Sequence, residues 1–153
     1  MPDVRSLSTG TKVVLGSAIL LLLVSFLSWQ DVGEIEGLPV DVPGISAWHG
    51  FWGVVMGLLT IAIIVWVGLQ VMSVSLPELP VPAKTITLGL GALIFAFALI
   101  KNLADDYSTI WSYIGVLLAA GVAVGAWLQS QEPEVAATSV PPPPPTPTTQ
   151  ETP

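Results

Sequence analysis

The sequence predicts an all-α protein, a four-helix transmembrane bundle followed by a disordered, proline-rich C-terminal tail. Its composition indicates lipid rather than water as the surrounding medium, because 52% of the 153 residues are hydrophobic and 10% are charged, against roughly 25% charged residues in soluble domains. The apolar residues also form four continuous runs. Continuous runs predict membrane-spanning helices, in which every backbone group is paired within its own segment, and they do not fit the alternating pattern of a β-barrel.

The predicted spans cover residues 13–29, 48–72, 85–103 and 110–128. The first run, which follows the short N-terminal segment 1–12, has an alternative interpretation as a signal peptide with its apolar part at 13–27. The residues before Trp29 lack the small-x-small pattern of a cleavage site, and Trp29 itself is typical of an interface anchor. We therefore expect the first run to remain in the protein as a transmembrane helix.

The first connection, residues 30–47, is predicted to be an acidic outer loop. It is interrupted by glycine and proline, which favours irregular structure. Alternation through Ile35, Val40 and Val42 also permits a short hairpin, although the two prolines disfavour it. The acidic residues of this loop are Asp31, Glu34, Glu36 and Asp41.

Four spans place both termini on one side of the membrane, together with the proline-rich loop 73–84. Three of the four basic residues, Arg5, Lys12 and Lys84, then share this side, while Lys101 lies near the outer turn 104–109. The positive-inside rule therefore predicts a multi-pass plasma-membrane protein with cytoplasmic N- and C-termini. Aromatic residues at the outer span ends are interpreted as an interfacial belt: Trp29, Trp48, Trp52, Tyr107, Trp111 and Tyr113, with Trp127 at an inner end.

Charged residues are expected to lie outside the uncharged apolar runs, the third of which covers Thr85 to Ile100, while Lys101, Asp105 and Asp106 form a tight turn at the end of the third span. The spans then lack the ionisable group that ion-coupled transporters use within the bilayer. The absence of cysteine excludes disulfides, thiolate metal sites and thiol catalysis. The sequence shows neither a nucleophile paired with a base nor a phosphate-binding glycine loop, so we expect no catalytic residue, no cofactor and no enzyme activity.

His49, the only histidine, lies at the outer start of the second span. An imidazole beside the acids of the first loop and beside Asp105 and Asp106 could bind a divalent cation or respond to pH near neutrality. One histidine with loop carboxylates makes a poor cage, however, and its tryptophan neighbours are typical of an interface. We therefore interpret His49 as an anchor and predict no metal site.

Two G-x-x-x-G patterns place small residues on one helix face, where another backbone can approach closely. These are Gly53 with Gly57 in the second span and Gly121 with Gly125 in the fourth. The same small-residue spacing recurs at Gly115 with Ala119 and at Ala92 with Ala96. We expect the Gly53 and Gly57 pair or the Gly121 and Gly125 pair to lie at a helix contact, either within the bundle or between protomers of a homo-oligomer.

The tail, residues 129–153, contains the run Pro141–Pro145 among Ser, Thr, Ala, Gln and Glu. This composition has too little apolar surface to offset the entropy of ordering and predicts a disordered chain with polyproline character. The tail is either passive or a ligand for a cytoplasmic protein, although it lacks the basic flank of an SH3 ligand. Thr149 and Thr152 are candidate phosphorylation sites, since a flexible cytoplasmic tail is open to a Ser/Thr kinase.

Two segments that bracket the outer loop carry a resemblance. Phe26-Leu27-Ser28-Trp29 ends the first span, and Ala47-Trp48-His49-Gly50-Phe51-Trp52-Gly53 opens the second. The pattern resembles that of uncharacterised four-helix transmembrane proteins of actinobacteria, which have an FLPW-like and a NAW-x-x-F-like segment in these places. Ser28 stands where proline is common. The resemblance implies a plasma-membrane location and supplies no activity.

The sequence therefore predicts an integral membrane protein with a structural or interaction role, such as an envelope-associated scaffold. Its expected partners are the lipid bilayer, a second copy or other membrane proteins, and a cytoplasmic protein bound by the tail. Four Lys and Arg residues are too few to neutralise a nucleic acid. The alternative is a channel or an accessory subunit of a membrane transporter, which would require a polar stripe along one helix face.

Overall fold

The computed structural model of the protein describes residues 7–31, 44–74 and 80–132. In these residues the chain forms four helices and two short strands, which confirms the all-α fold class. The elements are α1 (Thr9–Val24), β1 (Ser28–Gln30), β2 (Ile45–Ser46), α2 (Gly50–Val71), α3 (Ala83–Ala104) and α4 (Ile110–Gln131). The predicted disordered tail lies, from residue 133 onward, outside the described residues.

The four helices form a closed ring in which each helix contacts the next and α4 returns to α1. Neighbouring helices are antiparallel. Lys84 at the start of α3 contacts Glu132, which directly follows α4, and Asn102 near the end of α3 contacts Ser112 near the start of α4. We call the end that carries Thr9 and Glu132 the tail end of the bundle, and the opposite end the loop end.

Three helices, α2, α3 and α4, are long and apolar enough to cross a membrane. Each has 22 residues, a length of about 33 Å at the α-helical rise. Their bounds differ from the predicted ones by at most three residues. The shifts include the start of α3, which takes in Lys84 from the predicted loop.

Helix α1 is shorter, with 16 residues or about 24 Å. It begins four residues before the predicted start, because the Ser8 hydroxyl accepts a hydrogen bond from the Thr11 amide and caps the helix at 3.1 Å. It ends five residues early, because the chain turns at Ser25 and enters β1. Helix α1 buries Val14, Ala18 and Leu21 in the core, which favours a helix that stays in the bundle over a cleaved signal peptide.

The two ends of the predicted outer loop pair with each other as a short antiparallel ribbon. Ser28 lies opposite Ser46, and Gln30 lies opposite Ile45, with an irregularity between the two pairs. At these ends the chain is paired rather than irregular, and the pairing satisfies backbone groups at the loop end of the bundle. The hairpin suggested by Ile35, Val40 and Val42 lies outside the described residues.

Helices α1 and α4 approach each other closely because glycine leaves space between them. A Cβ atom at Gly125 would lie 2.7 Å from the Val14 backbone nitrogen, and one at Gly121 would lie 2.6 Å from Ser17 Oγ. At the tail end the glycine belongs to α1 instead of α4. A Cβ at Gly10 would lie 2.5 Å from the Gln129 nitrogen of α4. The predicted pair Gly121 and Gly125 thus lies between two helices of the same chain.

Apolar side chains occupy both the inside and the outside of the bundle. The core joins residues from all four helices, among them Val14, Leu21, Met56, Ile63, Ile94, Val122 and Ala126. Large apolar side chains also cover the outer faces, including Ile19, Leu23, Leu58, Val65, Leu93, Leu99, Leu117 and Val124. A helix bundle that is apolar on both faces is typical of a membrane interior.

A substitution at the α1–α4 contact should distinguish close backbone packing from a tolerated glycine. We expect Gly125→Ala to lower the free energy of unfolding by about 1–3 kcal/mol, because the added methyl group meets the Val14 backbone nitrogen as well as the Val13 and Val14 side chains. Gly89→Ala is the matched control, since nothing lies within 4 Å of a Cβ there. The control should be neutral or stabilising by up to about 1 kcal/mol. Equal melting temperatures of the two variants in detergent would contradict close packing.

Candidate functional site at the loop end

The loop end of the bundle is closed by Trp29, whose side chain is fully buried. Its indole Nε1 donates a hydrogen bond to the Val24 carbonyl at 2.9 Å, and its own carbonyl accepts one from the Thr109 amide at 2.9 Å. The ring lies on Gly115, where any Cβ would overlap it. The interpretation of Trp29 as an interface anchor was therefore wrong, because β1 turns the indole inward onto a position without a side chain.

Ser25 links the end of α1 to the segment that precedes α2. Its hydroxyl donates to the Leu22 carbonyl at 2.6 Å and accepts from the Trp48 indole Nε1 at 2.8 Å. Its carbonyl accepts from the Ala47 amide at 3.1 Å. The Trp48 ring also stacks on Phe26, with ring centroids 5.6 Å apart. These contacts hold residues 47 and 48 against the end of α1.

The pair Gly53 and Gly57 contacts this same segment rather than a neighbouring helix backbone. A Cβ at Gly53 would overlap the Ala47 carbonyl, and one at Gly57 would lie 2.5 Å from the Trp48 ring. Gly50 begins α2 with a φ of 79°, a left-handed conformation that glycine adopts readily. The glycines therefore let residues 47 and 48 fold back over the first turns of α2, and of the two glycine pairs it is Gly121 and Gly125 that face another helix.

We call the assembly of Trp29, Ser25 and the segment 47–48 the cap. Its residues come from the two segments that bracket the predicted outer loop. The cap explains why tryptophan, serine, alanine and glycine stand at these positions. Each side chain either fills the end of the bundle, satisfies a backbone group or leaves room for a crossing backbone. The cap is a packing and hydrogen-bonding unit.

Lys101 lies inside α3, one turn before its end, and is 2% exposed. Its ammonium group forms an ion pair with Asp105, whose side chain is 20% exposed. Lys101 therefore lies within the helix rather than in the turn that follows it. The pair is stable here because the residues are four apart on the helix and because a cation is favoured near a helix C-terminus.

The surroundings of this ion pair are polar on one side and apolar on the other. Asn102 donates to the Ser112 hydroxyl at 2.9 Å, and that hydroxyl donates to the Thr109 carbonyl at 2.8 Å. Towards α2, the Lys101 Cε atom lies 3.1 Å from the position of a Cβ on Gly53. The Lys101 side chain thus packs against α2 at Gly53.

A cavity of about 300 Å³ lies beside the ion pair at the surface of the loop end. Tyr107 in its wall has a φ of 62°, and its carbonyl accepts a hydrogen bond from the Asp31 amide at 3.1 Å. The cavity is lined by Gln30, Ile45, Ala104, Asp105, Asp106 and Tyr107. Its acidic groups come from the turn after α3.

His49 precedes the first residue of α2, with an exposed side chain that makes no capping hydrogen bond. Three of the acids considered as its partners, Glu34, Glu36 and Asp41, lie outside the described residues. Among the residues that are described, no group of three or more His, Cys, Asp or Glu side chains could hold a metal ion. The candidate phosphorylation sites Thr149 and Thr152 also lie outside the described part of the chain.

Sequence reasoning missed three features of the loop end: the buried Trp29, the double role of Ser25 and the burial of Lys101. The i, i+4 spacing of Lys101 and Asp105 was a usable signal, because opposite charges at this spacing pair on a helix. The inward turn of Trp29 had no such signal, since it depends on Gly115, which lies far away in the sequence.

Comparison with known proteins does not add to this geometry. No protein-family model matches the chain, and no curated protein or solved structure is significantly similar to it.

The ion pair predicts a specific pattern of stability. Asp105→Asn should lower the free energy of unfolding by about 3 kcal/mol, because it leaves the buried ammonium group of Lys101 without its anion. The double variant with Lys101→Met should recover most of this loss, since both charges are then removed. The measurement is thermal unfolding of all variants in lipid nanodiscs.

The exposed neighbour Asp106 supplies the control, because Asp106→Asn removes the same charge from the same turn. We expect this control to match the wild type. Additive effects of the two substitutions at Lys101 and Asp105 would show that the pair contributes no coupling energy.

Proposed function

We propose that this chain is a non-enzymatic membrane scaffold with four transmembrane helices and both termini in the cytoplasm. The observation that carries the proposal is the closure of the bundle. The loop end is filled by Trp29, and most buried polar side-chain atoms are bonded within the chain, with Gln70 Nε2 and Gln129 Oε1 as exceptions among the described residues. A bundle of this kind is suited to holding a position in the membrane, with its tail presented to a cytoplasmic protein.

Helix α1 can serve as the fourth span despite its length. The turn that follows it continues the apolar surface, since Phe26 is 63% exposed and Leu27 is 39% exposed. From Thr9 through Leu27 the apolar segment then approaches the roughly 30 Å of the hydrocarbon layer. The cap supports this arrangement by satisfying the backbone groups at the end of α1.

Polar groups buried inside the bundle favour a scaffold over a channel. The Thr60 hydroxyl donates to the Met56 carbonyl at 2.8 Å within α2. The Thr87 hydroxyl donates to the Ala83 carbonyl at 3.1 Å and accepts from the Trp66 indole at 3.2 Å. These hydroxyls are bonded to their own helix or to a neighbouring side chain, as packing groups are, instead of facing a water-filled path.

The topology can be tested by cysteine labelling, for which the cysteine-free chain offers a clean background. Asp106 at the loop end and Gln131 at the tail end are both exposed, so each can be replaced singly by cysteine. We expect a membrane-impermeant maleimide to label Asp106→Cys in intact cells. Gln131→Cys should react only after the membrane is permeabilised. Labelling of both, or of Gln131→Cys alone, would contradict cytoplasmic termini.

Recruitment by the tail can be tested by comparing the full chain with a variant that lacks residues 137–153. Both proteins are isolated from native membranes after mild crosslinking, and the bound proteins are identified by mass spectrometry. We expect a cytoplasmic protein to be lost with the tail, while the melting temperature of the bundle stays the same. Phosphorylation at Thr149 or Thr152 is read from the same spectra.

Two results would overturn this role. Binding partners that are unchanged after removal of residues 137–153 would place recruitment elsewhere. Ion flux through liposomes that contain the purified chain would favour the channel.

A further inference from the structure

At the tail end, two helix termini lack a charged residue of their own that would complement the helix dipole. The first turn of α1 contains no acidic residue, and the last turn of α4 contains no basic residue. A helix N-terminus favours a nearby anion, and a helix C-terminus favours a nearby cation. Each terminus receives the missing charge from elsewhere in the bundle. For α1 it comes from the residue that follows α4, and for α4 it comes from the first turn of α3.

The anion for α1 comes from Glu132, which lies 122 positions along the chain from the residue it contacts. The Gly10 amide donates to the Glu132 carboxylate oxygen Oε1 at 3.0 Å. This amide belongs to the first turn of α1, whose amide groups have no partner within the helix. Glu132 therefore caps a helix other than the one it follows.

The cation for α4 comes from Lys84 in the first turn of α3. Its ammonium group donates to the main-chain carbonyl of Glu132. A lysine at a helix N-terminus is unfavourable for its own helix dipole, but α3 and α4 are antiparallel, so the same ammonium group lies at the favourable end of α4. Glu132 thus makes two contacts: its carboxylate binds the Gly10 amide of α1, and its carbonyl binds the Lys84 ammonium group of α3.

Packing beneath Glu132 holds the end of α4 against the first turn of α1. The backbone of Gln129 lies against Gly10, and the Gln129 side-chain nitrogen donates to the Thr11 hydroxyl at 3.2 Å. The Gln129 oxygen Oε1 is buried and has no hydrogen-bond partner among the described residues. One unpaired buried acceptor raises the free energy of the closed arrangement and so lowers the cost of opening it.

We propose that Glu132 is a latch, a single residue that locks α1, α3 and the end of α4 together at the point where the tail leaves the bundle. In the closed state the carboxylate caps α1 while Lys84 caps α4. In the open state the last turn of α4 separates from both helices, and the Gly10 amide loses its partner. Displacement of the segment that follows α4 is thereby transmitted to the first turn of α1, at the same end of the bundle.

The latch goes beyond the scaffold role and needs no partner protein, so the two can fail separately. The test is residue-resolved hydrogen exchange of the full chain in nanodiscs, with the Gly10 amide as the reporter. We expect Glu132→Ala to speed exchange at Gly10 by about tenfold, because the amide loses a charge-assisted acceptor. Glu132→Gln keeps an acceptor oxygen and should give a smaller increase.

The decisive variant is Lys84→Met, which does not contact Gly10. If Glu132 is a latch, loss of the Lys84 contact must also speed exchange at Gly10, by about threefold or more. Unchanged exchange at Gly10 in Lys84→Met would show two independent caps and overturn the latch. Unchanged exchange in Glu132→Ala would overturn it as well.

Two internal controls separate opening of the latch from unfolding. Gln131→Ala alters the exposed residue beside Glu132 and should leave Gly10 exchange at the wild-type rate. The amides of Ala18 and Val122, in the core of α1 and α4, should be unaffected in every variant. Faster exchange at these core amides to the same extent as at Gly10 would indicate general destabilisation and count against the latch.

Discussion

The close approach of α1 and α4 is the contact on which the rest of the bundle depends. Lipid offers no hydrophobic driving force between helices, so their association relies on close packing and on internal hydrogen bonds. Glycine provides the packing along most of this contact, at Gly10, Gly121 and Gly125. It also provides the space at Gly115 that Trp29 fills. Larger side chains at these positions would move α1 outward, and both ends of the bundle would lose their partners.

The two ends of this contact are closed by different chemistry. At the loop end, closure uses an aromatic side chain and neutral hydrogen bonds, from Trp29 to Val24 and from Trp48 to Ser25. At the tail end, closure uses charges, through Glu132 and Lys84. Neutral bonds in a well-packed cap hold one arrangement, whereas charge contacts near water are weaker and screened by salt. The contacts of Glu132 and Lys84 are therefore sensitive to salt, whereas those of Trp29 and Trp48 are not.

The sequence predicted the number and type of the helices because apolar runs of this length have few alternatives in lipid. It predicted three helices to within a few residues but not the end of α1, since the turn at Ser25 is set by Trp48 and Ala47, which follow the loop. The close packing at Gly121 and Gly125 followed from their spacing, whereas Gly53 and Gly57 have the same spacing and accommodate a loop instead. Local spacing shows that a backbone approaches closely, and only the tertiary structure shows which one.

Lys101 is the one basic residue on the predicted outer side of the membrane, and it is held in an ion pair. The positive-inside rule counts basic residues because cations resist transfer across the membrane. Lys101 is buried against Asp105 at the loop end, but acidic residues contribute little to the rule, which is not a net-charge rule. At the tail end, Lys84 donates to a main-chain carbonyl group. The physical argument for a cytoplasmic tail therefore remains the ratio of three basic residues to one in the sequence, whatever partners the individual side chains have.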